Sequence, residues 1–174
     1  MAVIIRAARI DDADAIAAVH VRTWQEAYRG VVPAAALAAL DEDARALAWR
    51  TSIAAGAPCA LVADDDGVVV GFASFGAARD ADMAGDGELY AIYVTSSHWR
   101  AGVGHALLTA VEHDLVHIGA REPALWVLAD NPRARTFYQR HGWRVDGAER
   151  IVTGSAATGL LEVRYRKRSL QARE

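Results

Sequence analysis

The stretch Glu88 to Leu108, ELYAIYVTSSHWRAGVGHALL, concentrates the residues of this sequence that could do chemistry. An apolar run leads through a short polar loop into Gly102-Val103-Gly104 and then into a helical pattern. N–H groups at a helix N-terminus point outward unpaired, and glycines let a phosphate oxygen approach them closely. The spacing predicts a phosphorylated ligand at this junction, with the Arg100 guanidinium beside it. A lone G-x-G also serves plain helix packing. A dinucleotide fold is disfavoured, because Leu107 stands where the third glycine of G-x-G-x-x-G would fall and no βαβ unit opens the chain.

Other chemistry-bearing types read more plainly. His20, Trp24 and Tyr28 recur at i, i+4 and i+8 on one helix, which describes either an aromatic wall for a substrate or an amphipathic face buried in the core. Tyr28 and Arg29, at the end of that helix, are the part expected to meet substrate. His113 and His117 stand four apart, but they lack the H-E-x-x-H pattern and a third ligand, so no metal is expected. His98 and His105 flank the glycine loop and read as exposed residues. Cys59 heads an apolar strand and reads as a buried small hydrophobe. The run Arg164 to Arg168 reads as a solvated strand edge.

Composition bounds the function. The 174 residues carry 19 Lys+Arg against 22 Asp+Glu, for a net charge of −3. A pI near 6.1 argues against a nucleic-acid-coating protein, which usually shows a basic patch. Hydrophobic residues at 53% and charged residues at 24% describe a globular chain rather than a disordered one. The longest uncharged stretch, Thr51 to Ala63, is interrupted by Gly56 and Pro58, so no membrane span is expected. One cysteine cannot form an internal disulfide, and the first residues lack the order of a secretory signal; a cytoplasmic protein is expected.

The elements that must position these residues follow from pattern. Residues 2 to 8 read as a strand, and Asp11 or Asp12 opens a helix to about Tyr28. Helical pieces follow over 33–40 and 43–55, with Asp41 as cap and Gly56-Ala57-Pro58 as stop. Strands over 59–63 and 68–75 are joined by Asp64-Asp65-Asp66-Gly67, a tight hairpin signal. Residues 76–87 read as a loop and 88–95 as a strong strand. A helix over 103–118 is followed by a strand over 124–128, then by a helix capped by Asn131 with Pro132 at its first position. Strands over 143–152 and 160–165 close a single domain spanning the chain. The order implies a mixed sheet with helices on its faces.

The runs E-L-Y-A-I-Y-V and R-A-G-V-G-H-A-L-L, followed by N-P-R-A-R-T-F-Y-Q-R-H-G-W from Asn131 to Trp143, resemble the GCN5-related N-acetyltransferases (GNAT). The likeness covers nearly the whole chain. The family pattern is Arg or Gln, two residues, Gly, one residue, then Gly or Ala; Gly102 and Gly104 fit, while Trp99 stands at the first position. The resemblance implies a mainly antiparallel sheet of six to seven strands flanked by helices. It also implies that two splayed parallel strands, 88–95 and 124–128, form a cleft for acetyl-CoA, with a homodimer compatible with this reading.

The same motifs carry implications for the site. Backbone groups of Ile92, Tyr93 and Val94 would meet the pantetheine arm and the thioester carbonyl. Trp99, Arg100 and Ala101, then Gly102, Val103 and Gly104, with His105 next, would hold the pyrophosphate. An oxygen that gains negative charge in the transition state needs a preplaced N–H donor, which the strand near Val94 could supply. Asn131 matches a coenzyme A contact and equally reads as a plain helix cap. An amine of pKa about 10 must lose a proton before it attacks. Glu88 is the expected general base, sharing a face with Tyr90, Ile92 and Val94 by period-two alternation. Tyr138 matches the family's acid, a phenol that contacts the cofactor and protonates the leaving thiolate.

The expected function is acetyl transfer from acetyl-CoA to an amine by direct attack, with Trp24, Tyr28 and Arg29 nearest the acceptor. A non-catalytic acyl-CoA sensor and a transferase for another acyl group are the alternatives. The acceptor, a small-molecule amine or a protein N-terminus, is not encoded in the cofactor motif.

Overall fold

The computed structural model describes residues 3–168. Its elements, in chain order, are β1 Ile4–Ala7, α1 Ala13–Ala27, α2 Ala34–Ala38, α3 Glu42–Ala55, β2 Cys59–Asp65, β3 Val68–Ala77, β4 Gly87–Val94, α4 Val103–His117, β5 Ala124–Leu128, α5 Pro132–Arg140, β6 Arg144–Ile151 and β7 Leu161–Arg166. Seven strands form one mixed sheet in the order β1-β2-β3-β4-β5-β7-β6. Every pairing is antiparallel except β4 with β5. Residue 2, expected in the first strand, lies outside the described residues.

Local chemistry sets the boundaries. The hairpin between β2 and β3 turns on Asp66 and Gly67, both left-handed at φ 52° and 87°, the geometry a two-residue turn needs to match strand twist. Asp41 caps α3 by accepting from the Ala44 N–H at 2.9 Å, and Asn131 caps α5 by accepting from the Ala134 N–H at 3.0 Å. The expected helix over 33–40 is shorter, Ala34–Ala38. Residues 76–87 are less of a loop than expected: β3 runs to Ala77, and a 3-10 turn covers Ala81–Met83.

Both faces of the sheet are covered. Leu107, Leu108, Val111 and Leu115 of α4 pack with Phe75, Leu89 and Tyr165 on one face. On the other, Ile16 and Val19 of α1 meet Val62 and Phe72, with Trp49 of α3 beside them. A third cluster joins Val32 and Leu37 to Leu128 at the end of β5. No helix among the described residues is long and apolar enough to cross a membrane.

Two irregularities shape the middle of the sheet. The parallel strands β4 and β5 share only two register pairs, Glu88 with Ala124 and Leu89 with Leu125, and then part. In β4, Tyr90 is an extra residue, because Ser74 opposes Ala91 while Phe75 opposes Leu89. That is a β-bulge, and it inverts the alternation of side chains across it.

Candidate active site

Where β4 and β5 separate, a cleft of about 1180 Å³ opens between them. It exceeds the volume of a typical drug-sized pocket, roughly 300 to 1,000 Å³, and leaves room for a large ligand with a second molecule against it. One wall carries the expected cofactor residues. Thr95 donates its N–H to the Val70 carbonyl on β3, so by alternation the backbone groups of Val94 and Ile92 point the other way, into the gap. The Val94 carbonyl is taken by the Trp99 indole N–H at 2.7 Å. The N–H of Val94 and both backbone groups of Ile92 face the gap that β5 has vacated.

The loop after β4 is shaped for an anion. Arg100 at φ 64° and Gly102 at φ 84° are both left-handed, and between them they turn the chain into the N-terminus of α4. The first backbone bond of that helix is from Ala106 to the Gly102 carbonyl. The N–H groups of Val103, Gly104 and His105 precede it and belong to the turn that a helix leaves without intrahelical partners. The Val103 side chain is buried in the core, so only its backbone can serve a ligand there. Ala101 is exposed but does not line the cleft.

Three arginines crowd this end. Arg100, Arg133 and Arg140 line the cleft, and none makes an ion pair among the described residues. The Arg133 guanidinium lies 3.3 Å from the centre of the Trp99 ring; burial, with the Arg100 charge adding, lowers its pKa. Trp99, the departure from the family pattern, thus acts as a platform for Arg133 and a lock on Val94. Nearby, Nδ1 of His105 and Nε2 of His141 are 2.8 Å apart. The donor set fits a polyanion such as the phosphates of coenzyme A.

Tyr138, on α5, is 8% exposed and lines the cleft. Burial, with Tyr93 adding, pushes its pKa above the ordinary phenol value, so the group stays protonated. The phenols of Tyr28 and Tyr93 are raised as well, chiefly by burial. Asn131 lines the cleft as well as capping α5.

The opposite wall belongs to α1, β5 and β7. Trp24 and Tyr28 stand edge to face at 4.9 Å and line the cleft, so the outer members of the aromatic stripe face the opening rather than the core. His20 lies deeper, 5.1 Å from the Tyr93 ring; burial, helped by the Arg45 charge, pushes its pKa down to about 3. Among the described residues His20 Nδ1, Thr23 Oγ1 and Trp24 Nε1 are buried with no hydrogen-bond partner, polar atoms that a ligand could satisfy. Arg29 is exposed and does not line this cleft.

Several expectations need correction. The bulge at Tyr90 places Glu88 on the face of Ala91 and Tyr93, not that of Ile92 and Val94. Its side chain is 1% exposed, and the Arg79 guanidinium and N–H take both oxygens. Arg164 is not a solvated edge: β7 is an interior strand, and Arg164 is 7% exposed and bound to Asp80, Asp82 and Asp146. Cys59 is exposed rather than buried, because it begins β2. Pattern reading missed Arg79, Trp126, Arg150 and Glu162, all on the cleft. Arg133 was within its reach, directly after Asn131-Pro132 in a motif already singled out.

Comparison with known proteins agrees with this geometry. The family model described as "Acetyltransferase (GNAT) family" matches residues 18–143. The chain is 36% identical over 139 residues to the N-acetyltransferase YuaI of Bacillus subtilis, covering 80% of this chain and 79% of that protein. Its fold matches the PaiA N-acetyltransferase from Thermoplasma acidophilum in complex with coenzyme A, with a TM-score of 0.75, 20% identity, and coverage of 97% of this chain and 99% of that one. It matches an N-acetyltransferase from Staphylococcus aureus Mu50 with a TM-score of 0.77, 21% identity, and coverage of 98% and 100%.

Proposed function

The chain belongs to the acetyltransferase (GNAT) family and is an N-acetyltransferase, and from that premise we propose how its cleft carries the reaction. The observation that carries the proposal is the parted β4–β5 seam, which ends at the loop opening α4, with Arg100 of that loop and Arg133 and Arg140 of α5 lining the cleft. Acetyl-CoA, when bound, supplies the acetyl group as a thioester. Arg100, Arg133 and the N–H groups that open α4 would hold its phosphates. The backbone of Ile92 and Val94 would align its arm, with the Val94 N–H stabilising charge on the carbonyl oxygen. Because Trp99 occupies the Val94 carbonyl, the alignment uses the N–H at that residue.

Tyr138 donates a proton to the departing sulfur and is reprotonated from solvent. A phenol near 10 is a weaker acid than a thiol near 8.5, so the transfer is driven by charge developing on sulfur as the bond breaks and by proton return from solvent; what burial contributes is a phenol that is protonated when that charge appears. Glu88, expected as base, enters through its pair with Arg79, whose guanidinium lies 4.4 Å from the centre of the Tyr90 ring on the cleft wall. Direct action on the amine by Glu88 requires that pair to open. Trp24 and Tyr28 border the acceptor, an amine of a small molecule or a protein N-terminus.

The test is release of free thiol from acetyl-CoA with and without added amines, alongside thermal stabilisation by acetyl-CoA alone. Amine-dependent release supports the reading. Stabilisation with no release points to an acyl-CoA sensor instead.

A further inference from the structure

We infer that Glu162 is the carboxylate that holds the acceptor amine and receives its proton, an assignment that rests on the transferase reading above. Glu162 on β7 pairs in register with Leu128, the last residue of β5. Side chains directly opposite each other in an antiparallel pair share a face. Leu128 packs with Val32 and Leu37, against Trp24 and Tyr28. Glu162 therefore emerges on the acceptor side, at the level where the two parallel strands have already parted. It lines the cleft together with those two aromatics and Tyr93.

Its two oxygens are in different situations. Arg150 donates its Nε–H to Oε2 at 2.8 Å, which fixes the orientation of the carboxylate. Oε1 has no protein donor among the described residues, and the side chain is 17% exposed. That combination is shielded enough to strengthen a charged contact and open enough to admit a ligand. Glu88 is the contrary case, with both oxygens on Arg79 and 1% exposure. Asp80, Asp82 and Asp146 on the same side are committed to Arg164, and Asp80 also accepts from the Trp126 indole.

The groups facing Glu162 come from four elements. They are Arg150 from β6, Tyr93 from β4, Tyr28 from α1, and Arg164, two residues along β7 with its own three carboxylates. Burial raises the phenols of Tyr93 and Tyr28, and the charge on Glu162 adds to the shift at Tyr93. Neither phenol competes as an anion for the ammonium. Oε1 accepts a hydrogen bond from the ammonium and takes one of its protons, which passes on to solvent. The freed nitrogen pair forms the bond to the acetyl carbon, and the nitrogen then loses a second proton to solvent as the amide forms. The carbon–sulfur bond breaks with its electrons on sulfur, which takes the proton of Tyr138.

The experiment compares wild type with E162Q, E162D and E88Q, using phenethylamine, spermidine, free methionine and an alanine-initiated hexapeptide as acceptors. Three quantities are read: kcat/KM across pH, affinity of the best amine for the coenzyme A complex by calorimetry, and stabilisation by acetyl-CoA. The limb due to the amine itself is common to all variants, so only the enzyme's own limb can differ. E162Q is expected to lower kcat/KM by about 100-fold, remove the enzyme's acid limb, and weaken amine binding by about tenfold. It should leave stabilisation by acetyl-CoA intact, which shows that the variant folds. E162D, which restores the charge on a shorter arm, should recover part of the loss. Wild-type values in E162Q would overturn the assignment alone, as would an acid limb kept by E162Q and lost by E88Q. A wild type that binds acetyl-CoA but releases no thiol with any of the four amines would overturn the transferase reading and the assignment together.

Discussion

Replacing Tyr138 by Phe removes one oxygen from a side chain that is 8% exposed and otherwise keeps its shape. The ring contacts with Phe137 at 5.3 Å and Trp143 at 6.4 Å survive the change. No hydrogen bond contributes to the shift of this phenol, which comes from burial and Tyr93, so stability should move by less than about 1 kcal/mol. The chemical effect is larger. A positioned general acid contributes about 10²- to 10⁴-fold, and a thiolate, already a fair leaving group at a pKa near 8.5, needs the low end of that range. The expected loss in kcat is about 100-fold, or ~2.7 kcal/mol of barrier at 1.36 kcal/mol per decade. Because burial keeps the phenol protonated, the wild-type to variant ratio should be flat from about pH 6 to 9. Thiol release measured under saturating acetyl-CoA gives kcat, and calorimetry checks that cofactor affinity is unchanged. A Y138F kcat within about twofold of wild type would refute the role of this residue. A ratio that climbs with falling pH would refute the argument from burial.

Three further outcomes are expected. Gly102→Ala forces a side chain into φ 84°, which costs about 1 to 2 kcal/mol; it should lower the melting temperature and weaken acetyl-CoA binding, and an unchanged Kd would show that the loop does not cradle the ligand. Arg133→Ala removes a cation that no carboxylate neutralises among the described residues, so affinity for coenzyme A should fall about tenfold and become less sensitive to salt; titration at two ionic strengths checks both. Arg6→Gln breaks the pair that holds Asp12 below the usual carboxylate range, through a hydrogen bond of 2.7 Å. A depressed carboxylate lends stability above its unfolded pKa of about 3.9 and loses it as pH falls through the folded value. The variant should therefore melt lower than wild type at neutral pH, with the gap closing in acid; a gap that widens in acid would contradict this sign.

The wall that carries the glycine loop was legible in the sequence because its signals are local. A strand, a loop with Gly102 and a helix follow one another within about twenty residues, and Asn131-Pro132 announces a helix start by chemistry at two adjacent positions. The opposite wall of the cleft is assembled from distant segments. Glu162 reaches it only because β7 pairs with β5 across 34 positions of chain, Leu128 to Glu162, and no local pattern states that register. The bulge at Tyr90 is a mismatch between β3 and β4, invisible in β4 read alone, and it reversed the face assigned to Glu88. Arg79 and Asp80 lie in a stretch without periodicity, where partners rather than pattern determine placement. Arg164 looked like surface charge because a run of arginines usually is; its three carboxylates arrive from residues 80, 82 and 146.

The brief parallel pairing of β4 with β5 has a mechanical consequence. Two register pairs, at Glu88–Ala124 and Leu89–Leu125, are the seam between a four-stranded half and a three-stranded half of one sheet. A molecule laid along the open part of that seam rivets the halves together. Ligand binding then adds to the cohesion of the whole sheet, by about 2.7 kcal/mol at a hundredfold excess over Kd. Amide hydrogens at Ile92 and Val94, unclaimed by a neighbouring strand, would be the places where that riveting is felt as slower exchange with solvent.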